Sequence, residues 1–482
     1  MSDPQPVLAE TLFSQLPPIW PDAGLRSEIR RRREASGACV VAFDDDPTGT
    51  QSVAGVHVLH RPRPEDLDGA LQSGDPAFYL LTNSRSLPSE TAVRVTRTLA
   101  AELSAAAQRV NRPILAVSRS DSTLRGHFPA ETQALAGGLG LDPAVLLLPF
   151  FAEGGRFTIH DVHWVKEGDR LVPAAQTAFA HDPVFGYAAS RLPEWVEEKT
   201  CGRVRASAVR TFPIDLNRTG GPESARRWLD ALAPGDIGIV NAAHDRDLEV
   251  VAAALGADDG ERLLFRSAAS WVKVLAGLPD PAPVQPSGVV AGRAGAGLTV
   301  VGSVVPRTDE QLAALAGASG LAWVELQVAR ALDGSLREAE VSRVIEAILA
   351  AWSDGQDVLL HTTRTHRAPQ DLLVGQVVSA ALVEVVRRLP QAPRYLVAKG
   401  GITASDIATQ ALGMRSSLVL GPILPGAPVW EMGPETLWPG LRLVVFPGNV
   451  GAPGTLAKLL EAFARAGQEE PPSAWSRKPS QV

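Results

Sequence analysis

The stretch ACVVAFDDDPTGT, residues 38–50, is an apolar run that passes without a break into three carboxylates, a proline and a hydroxyl–glycine–hydroxyl turn. No polar residue alternates along Ala38–Phe43, so it predicts a strand buried on both faces. Similar runs recur at Gly55–Leu59, Ala77–Thr82, Pro113–Val117, Ala144–Leu148, Ile237–Val240, Leu298–Val305, Arg394–Ala398 and Leu441–Phe446. Segments with helical spacing lie between them, such as Ser89–Ala107, with Ser89 as its expected cap, and Leu456–Ala466. Short Val/Ile/Leu strands separated by helices predict the α/β class, with mostly parallel sheets flanked by helices.

A chain of 482 residues exceeds one ordinary core, which predicts two domains. The densest proline and glycine stretch, Leu275–Gly297, contains PDPAPVQPSG and then AGRAGAG, and reads as a hinge without regular structure. The expected layout is therefore an N-terminal extension (1–37), a first domain (38–274), the linker (275–297), a second domain (298–466) and a polar, Pro-rich tail (467–482). In the extension, Arg26–Glu34 (RSEIRRRRE) predicts a short basic helix with a solvated face.

Composition excludes several classes. Net charge is −7, which lacks the electrostatic footprint of a nucleic-acid binder. The two cysteines, Cys39 and Cys201, have no CxxC or Cys/His neighbours, so both are expected as buried apolar fillers. The N-terminus carries acids and prolines rather than a signal pattern, and no apolar window approaches ~18 residues. No membrane association and a cytoplasmic location are expected. There is no GxxxxGK[ST] and no protein-kinase motif set, and GRAGAG precedes a strand rather than following one.

Two strand–glycine loop–helix units stand near the end, Lys399-Gly400-Gly401 before the helix expected over Thr403–Leu412, and Pro447–Thr455 (PGNVGAPGT) before Leu456–Ala466. Thr403 or Ser405 is the expected cap of the former helix. Glycines permit close backbone approach, and free amides at a helix start favour an anion, so two such loops suit a polyphosphate. A plain tight turn is the alternative for each loop alone. Gly302-Ser303 follows another apolar run, with Thr308 expected to cap the next helix.

In the N-terminal half, Asp44, Asp45 and Asp46 repel one another, so a metal, a basic side chain or backbone amides must compensate. A simple Asp-Pro turn is the alternative; Thr48-Gly49-Thr50 favours a ligand loop. Thr82–Ser86 (TNSRS) and Ser118–His127 (SRSDSTLRGH) follow apolar runs and mix hydroxyls with arginines, groups that hold a polyol and a carboxylate. His160 and His163 face differently on an extended segment with no third ligand nearby, so no metal ligands are expected. His181-Asp182-Pro183 reads as a turn with one substrate contact.

The ordered set Asp45-Asp46, Thr48-Gly49, Asn83-Ser84-Arg85, Asp121-Ser122-Thr123 with Gly126, and Gly155-Arg156 resembles the N-terminal domain of the four-carbon acid sugar kinase family. Gly302-Ser303 with Thr308 and Gln311, Gly400-Gly401-x-Thr403, Gly421-Pro422 and Pro447-Gly448-Asn449-x-Gly451 resemble that family's nucleotide-binding domain. The resemblance spans residues 38–465. It implies a kinase with its active site in the interdomain cleft, transferring the γ-phosphate of ATP to a hydroxyl of a tetronate or 3-oxo-tetronate. It also implies ATP contacts at Ser303, Gly400, Gly401, Ile402, Thr403, Gly448, Asn449 and Gly451.

On that reading Mg²⁺ bridges the phosphates, and the sugar acid meets Thr48, Gly49, Asn83, Ser84, Arg85, Arg119, Ser122, Thr123 and Arg156, its carboxylate near Arg85 or Arg119. Asp46 is the first choice to orient and deprotonate the acceptor, then Asp45, with Asp121 as the alternative. A homodimer is a further expectation. Pro47 stands where the family often has a bulky apolar residue and Asn241 where an aspartate is frequent, while the EGGRFTIHDVHWV segment (153–165) is elaborated. These departures bear on the acceptor: a kinase of another small hydroxy acid, or a non-catalytic regulator binding the same ligands, are the rival readings.

Overall fold

The computed structural model describes residues 4–256, 258–317, 320–364 and 372–467. The chain forms two units, one running to Ala282 and including Arg415–Gly421, the other running from Pro283 to Met414 and resuming at Pro422.

The first unit contains β1 (Val7–Leu8), β2 (Cys39–Asp44), β3 (Val56–Leu59), β4 (Ala77–Leu81), β5 (Ile114–Arg119), β6 (Ala144–Leu148), β7 (Arg156–Ile159), β8 (Val162–Glu167), β9 (Arg170–Pro173), β10 (Arg210–Phe212), β11 (Ile237–Val240) and β12 (Leu263–Ser267). Its main sheet has the order β10-β11-β6-β12-β5-β2-β4-β3, every neighbouring pair parallel. Residues Ser416–Val419 add an antiparallel edge against β3. Every residue of β2 is buried, as an unalternating run requires when helices cover both faces. On one face Val41, Phe43, Phe78 and Leu80 pack against Leu99, Leu103 and Leu135 of the crossover helices.

The elaborated segment 153–165 opens a small antiparallel sheet of order β1-β9-β8-β7. The N-terminal extension, expected as a segment separate from the first domain, is built into the first unit. Val7 pairs with Leu171, and Phe13 meets the Phe157 ring edge-on at 5.1 Å. In the helix Leu25–Ser36, Leu25 and Ile29 are buried, Arg26 pairs with Glu249 at 2.7 Å, and Arg32 and Arg33 donate to the carbonyls of Ala253 and Leu275. Only part of the basic face is solvated.

The second unit contains β13 (Leu298–Val301), β14 (Leu321–Leu326), β15 (Asp357–Thr362), β16 (Leu396–Lys399), the end of β17 (Ser416–Leu424), β18 (Ala427–Met432) and β19 (Arg442–Phe446). Its strands run β18-β19-β16-β13-β15-β14, all parallel except β18 against β19.

Several local expectations change. The 275–297 stretch is not devoid of structure, because Pro286 starts a helical turn, Pro286–Val290. The strand expected to reach Val305 ends at Val301, and Thr308 lies inside the helix Pro306–Ala313 rather than capping it. Gly400 precedes the helix Gly401–Asp406, so Thr403 and Ser405 are interior, and the chain continues as a π turn over Ile407–Ala411. Ser89 is the first helical residue, after Pro88. Cys39 is buried, but Cys201 is exposed at the end of a turn with φ +53°. Residues 468–482 of the expected tail lie outside the described residues. Among the described residues no helix is long and apolar enough to cross a membrane.

Because Ile29 is buried against the first unit, Ile29→Ala is expected to lower stability by about 2–4 kcal/mol, read as the urea midpoint. A loss within about 0.5 kcal/mol would fit a solvated appendage instead.

Candidate functional site

In the first unit the carboxyl ends of four adjacent parallel strands, β12, β5, β2 and β4, deliver polar loops to one edge of the sheet, where ligands of open α/β sheets collect. Asp44 and Asp45 are 1% and 2% exposed. Two arginines compensate them. Arg119 Nη1 lies 3.0 Å from Asp44 Oδ1, and Arg85 bonds both oxygens of Asp45, with Nε 3.3 Å from Oδ2. The Arg85 guanidinium also lies 3.5 Å from Asp46 and 3.9 Å from Asp121, so one cation faces three carboxylates. Burial, joined by the charges of Asp45 and Asp46, pushes Asp44 up to about 7 against the pull of Arg119. Burial also raises Asp46, but Arg85 and two hydrogen bonds from Thr48 outweigh it and hold that carboxyl below its ordinary value. For Asp121, Arg125, Arg85 and the Thr123 hydroxyl overcome burial and hold it far below the carboxylate range.

Most of the expected contacts gather here, with distinct duties. Pro47 is buried at the start of the turn Pro47–Thr50, and Gly49 has no room for a side chain, since a Cβ there would overlap the Asp44 carboxylate. Asn83 sits at φ +53°, a left-handed conformation asparagine tolerates. Ser84 is fully buried and spends its hydroxyl on Glu131 and Thr82, which makes it a brace. Arg119, 3% exposed and committed to Asp44, is likewise removed from a ligand carboxylate; Arg85 remains at the surface of the cluster.

Ser122 and Thr123 belong to a loop held from behind. His163 Nε2 donates to the Ser122 carbonyl at 2.7 Å while its Nδ1 accepts from Thr158 at 3.0 Å, and Tyr187 donates to the Thr123 carbonyl at 2.8 Å. Burial pulls His163 down to about 4, consistent with a neutral brace. Asn241 is buried against Asp161, whose Oδ1 accepts its amide at 2.7 Å. At the expected His181-Asp182-Pro183 turn, His181 bonds the Thr177 carbonyl and Asp182 faces Arg125 at 3.6 Å.

Arg156 differs from the other arginines of the cluster. Among the described residues it has no ion-pair partner, and its Nε is buried without a hydrogen bond. Its guanidinium lies 5.4 Å from the centre of the Phe179 ring, which Arg125, bonded to Asp121, approaches to 5.2 Å. A small cavity in the first unit is lined by Ser120, Asp121, Arg125, Trp195, Arg266 and Ser267.

Sequence reasoning missed Arg266 and Glu131. Arg266, next to last in β12, donates to Ser118 at 2.9 Å and Glu131 at 3.0 Å. A Cβ on Gly126, at φ +119°, would come within 2.7 Å of it. The signal was present, since LLFRS repeats the apolar-run-to-Arg-Ser pattern of AVSRS at 116–120.

In the second unit the adjacent strands β13, β16 and β19 release Gly302-Ser303, Gly400-Gly401-Ile402-Thr403 and Pro447–Gly454 at one edge. The loops interlock. Thr308 donates to Ser303 Oγ at 2.9 Å, and a Cβ on Gly448 would lie 2.6 Å from that oxygen. Gly400, at φ +120°, leaves its amide on the Phe446 carbonyl at 2.8 Å.

The last loop is pinned by its carbonyls. Lys399 Nζ donates to Pro447 and Gly448, and Gln311 Nε2 to Val450 and Ala452, at 3.0–3.1 Å. In a planar trans peptide the next amide points the opposite way. The amides of Gly448, Asn449 and Gly451 accordingly have no intramolecular acceptor among the described residues. Sequence reasoning missed Lys399 as well. Amides left free at successive loop positions are groups that can bind an anion.

Residues 40–275 match a sugar-binding N-terminal domain and residues 298–456 a nucleotide-binding C-terminal domain, the pair that defines one kinase family. The chain belongs to the four-carbon acid sugar kinase family. Membership places it among phosphotransferases with an alcohol group as acceptor. A D-threonate kinase of Bordetella bronchiseptica is 29% identical over 416 residues, covering 82% of this chain and 90% of its own. A D-erythronate kinase of Heliobacterium modesticaldum is 26% identical over 71% of this chain and 75% of its own. A 3-oxo-isoapionate kinase of Paraburkholderia graminis is 27% identical over 51% of this chain, which spans 57% of that relative's length. Solved structures from Salmonella typhimurium LT2 (TM-score 0.65, 18% identity, 89% of this chain and 98% of that one) and Haemophilus influenzae (0.61, 15%, 88% and 99%) share the fold.

Replacing Arg85 by Met leaves carboxylates of this kinase unpaired at the sheet edge. Its stability at pH 8 is expected to fall by about 3–5 kcal/mol in urea titrations. Asp46 and Asp121 are held below their ordinary values with Arg85 as one cause, so their contribution is full above the unfolded pKa of about 4 and fades as pH drops through the folded values. The deficit of Arg85→Met must therefore shrink in acid; an equal deficit at pH 8 and at about pH 3 would contradict the charge assignment.

Proposed function

We propose that this kinase transfers the γ-phosphate of ATP to a hydroxyl of a four-carbon sugar acid, a tetronate or 3-oxo-tetronate. The observation that carries the reading is the contrast between the two strand edges. One gathers compensated carboxylates, hydroxyls and an arginine without a partner; the other gathers free backbone amides on glycine loops.

Arg156 holds the carboxylate of the sugar acid. It is the arginine of this cluster with no carboxylate at ion-pair distance among the described residues, Asp121 acting on it only from further off, and it shares Phe179 with the Arg125 that holds Asp121. Thr48, Gly49, Asn83, Ser122 and Thr123 border the acceptor, and Arg85 keeps the carboxylates apart from one another. Asp46 orients the acceptor hydroxyl. Its carboxyl is held below the ordinary value, which makes it a weak base, and a loose phosphoryl transition state asks for alignment more than early deprotonation. Asp45 and Asp121 shape the same edge.

The ATP phosphates lie on the amides of Gly448, Asn449 and Gly451, beside Ser303 and the Gly400–Thr403 turn. A Mg²⁺ ion accompanying ATP would need few protein ligands, since it keeps most of its waters. Asp46 and Asp121 each keep an oxygen only loosely engaged by Arg85, at 3.5 and 3.9 Å, and fit a hydrated cation. When bound, the ion neutralises charge on the transferring group.

A panel of C3–C6 sugar acids and hydroxy acids, assayed for ATP-dependent ADP release, is expected to give the highest kcat/KM with a four-carbon acid. A better six-carbon or hydroxy acid would move the acceptor class, and binding of both ligands without ADP release would favour a regulator. Asp46→Asn is expected to lower kcat by about 10²-fold. Arg156→Met is expected to raise the KM for the acid by about 10- to 100-fold and leave the KM for ATP unchanged. An unchanged acid KM would remove Arg156 from the site.

A further inference from the structure

Lys399 ends β16 with its side chain fully buried, yet no carboxylate among the described residues lies within ion-pair distance of it. Its Nζ donates to the carbonyls of Pro447 and Gly448, 3.1 Å each, and lies 4.3 Å from the centre of the Phe446 ring. Burial pulls this ammonium down to about 7, and the nearby charge of Arg307 adds to the effect. A buried charge without a partner is expensive. Pinning the loop does not require one, because Gln311 holds the Val450 and Ala452 carbonyls at 3.0 Å with a neutral amide. The charge of Lys399 is thus surplus to the hydrogen bonding it performs. It stands directly behind the outward-facing amides of Gly448 and Asn449, where peptide planarity couples carbonyl and amide.

We propose that Lys399 is a positioning residue for the nucleotide: it turns those amides outward and places behind them a buried positive charge that a docked polyphosphate neutralises. The proposal rests on the reading that ATP phosphates occupy these loops. Among the described residues the charged groups near the loop include Arg307, paired with Glu310 at 2.6 Å, and Asp309 on the helix Pro306–Ala313, and Arg364, which bonds both Asp309 and the Ser303 carbonyl.

Calorimetric titration of the full chain and of Lys399→Met with ATP and with adenosine tests it. The variant is expected to bind ATP about 10- to 100-fold more weakly and adenosine within about twofold of wild type, since adenosine carries no phosphate to feel the charge. Unchanged ATP affinity, or an equal loss for ATP and adenosine, would overturn the role of Lys399 while leaving the site itself standing. A wild-type chain that binds neither ligand would overturn the nucleotide reading, and Lys399 with it. If Lys399→Met fails to fold, wild-type protein titrated with ATP at pH 8 in two buffers of different ionisation enthalpy decides the matter. Uptake of a substantial fraction of a proton is expected as the lysine recharges; none would sink the proposal.

Discussion

One guanidinium facing three carboxylates sets the terms for the first unit. Asp45, Asp46 and Asp121 reach the same sheet edge because β2 and β5 are adjacent parallel strands, and without Arg85 between them their mutual repulsion would open the edge. Arg119 performs the same service for Asp44 one layer deeper. Around this pair the remaining polar groups are satisfied in sequence: Ser120 bonds Asp45 at 2.7 Å, Arg266 bonds Ser118 and Glu131, and Glu131 bonds Ser84. Such a network is rigid only when complete. Arg119 and Arg156 each keep a buried Nε without a hydrogen bond, and of the two Arg156 is the one that also lacks an ion pair among the described residues.

The second unit solves the opposite problem. On the proposed reading its edge attracts negative charge, chiefly with backbone. Four loop carbonyls are drawn inward by Lys399 and Gln311, so the three amides that follow, those of Gly448, Asn449 and Gly451, turn outward, Pro453 having none. Glycine at 302 and 448 allows the loops to close on Thr403 and Ser303. The two edges are chemically complementary to the two reactants of a phosphoryl transfer, a hydroxy acid and a polyphosphate.

The α/β class was legible because β2 and its like are unalternating apolar runs, a pattern that burial on both faces produces. The polar edges were legible for a related reason: in a parallel sheet, the residues just after each strand share one edge, so sequence neighbours of strand ends become spatial neighbours. What escaped notice depends on distance along the chain. Arg266 meets Glu131 across 135 positions, and Arg33 meets Leu275 across 242, which is why the basic N-terminal helix resembled a solvated one. Arg85 and Arg119 look alike in sequence, and only the depth of β5 in the sheet separates an edge arginine from a buried one. Lys399 read as the first residue of a glycine loop rather than the last of a strand, and nothing local reveals that its buried ammonium has no carboxylate at ion-pair distance among the described residues.

A crystal structure of the chain with a tetronate and a non-hydrolysable ATP analogue tests the central claim most directly. The account predicts the acid's carboxylate within hydrogen-bond distance of Arg156, a hydroxyl on Asp46, and phosphate oxygens on the amides of Gly448 and Asn449. An acid bound away from the Arg85 cluster, or phosphates resting on side chains elsewhere in the second unit, would contradict it.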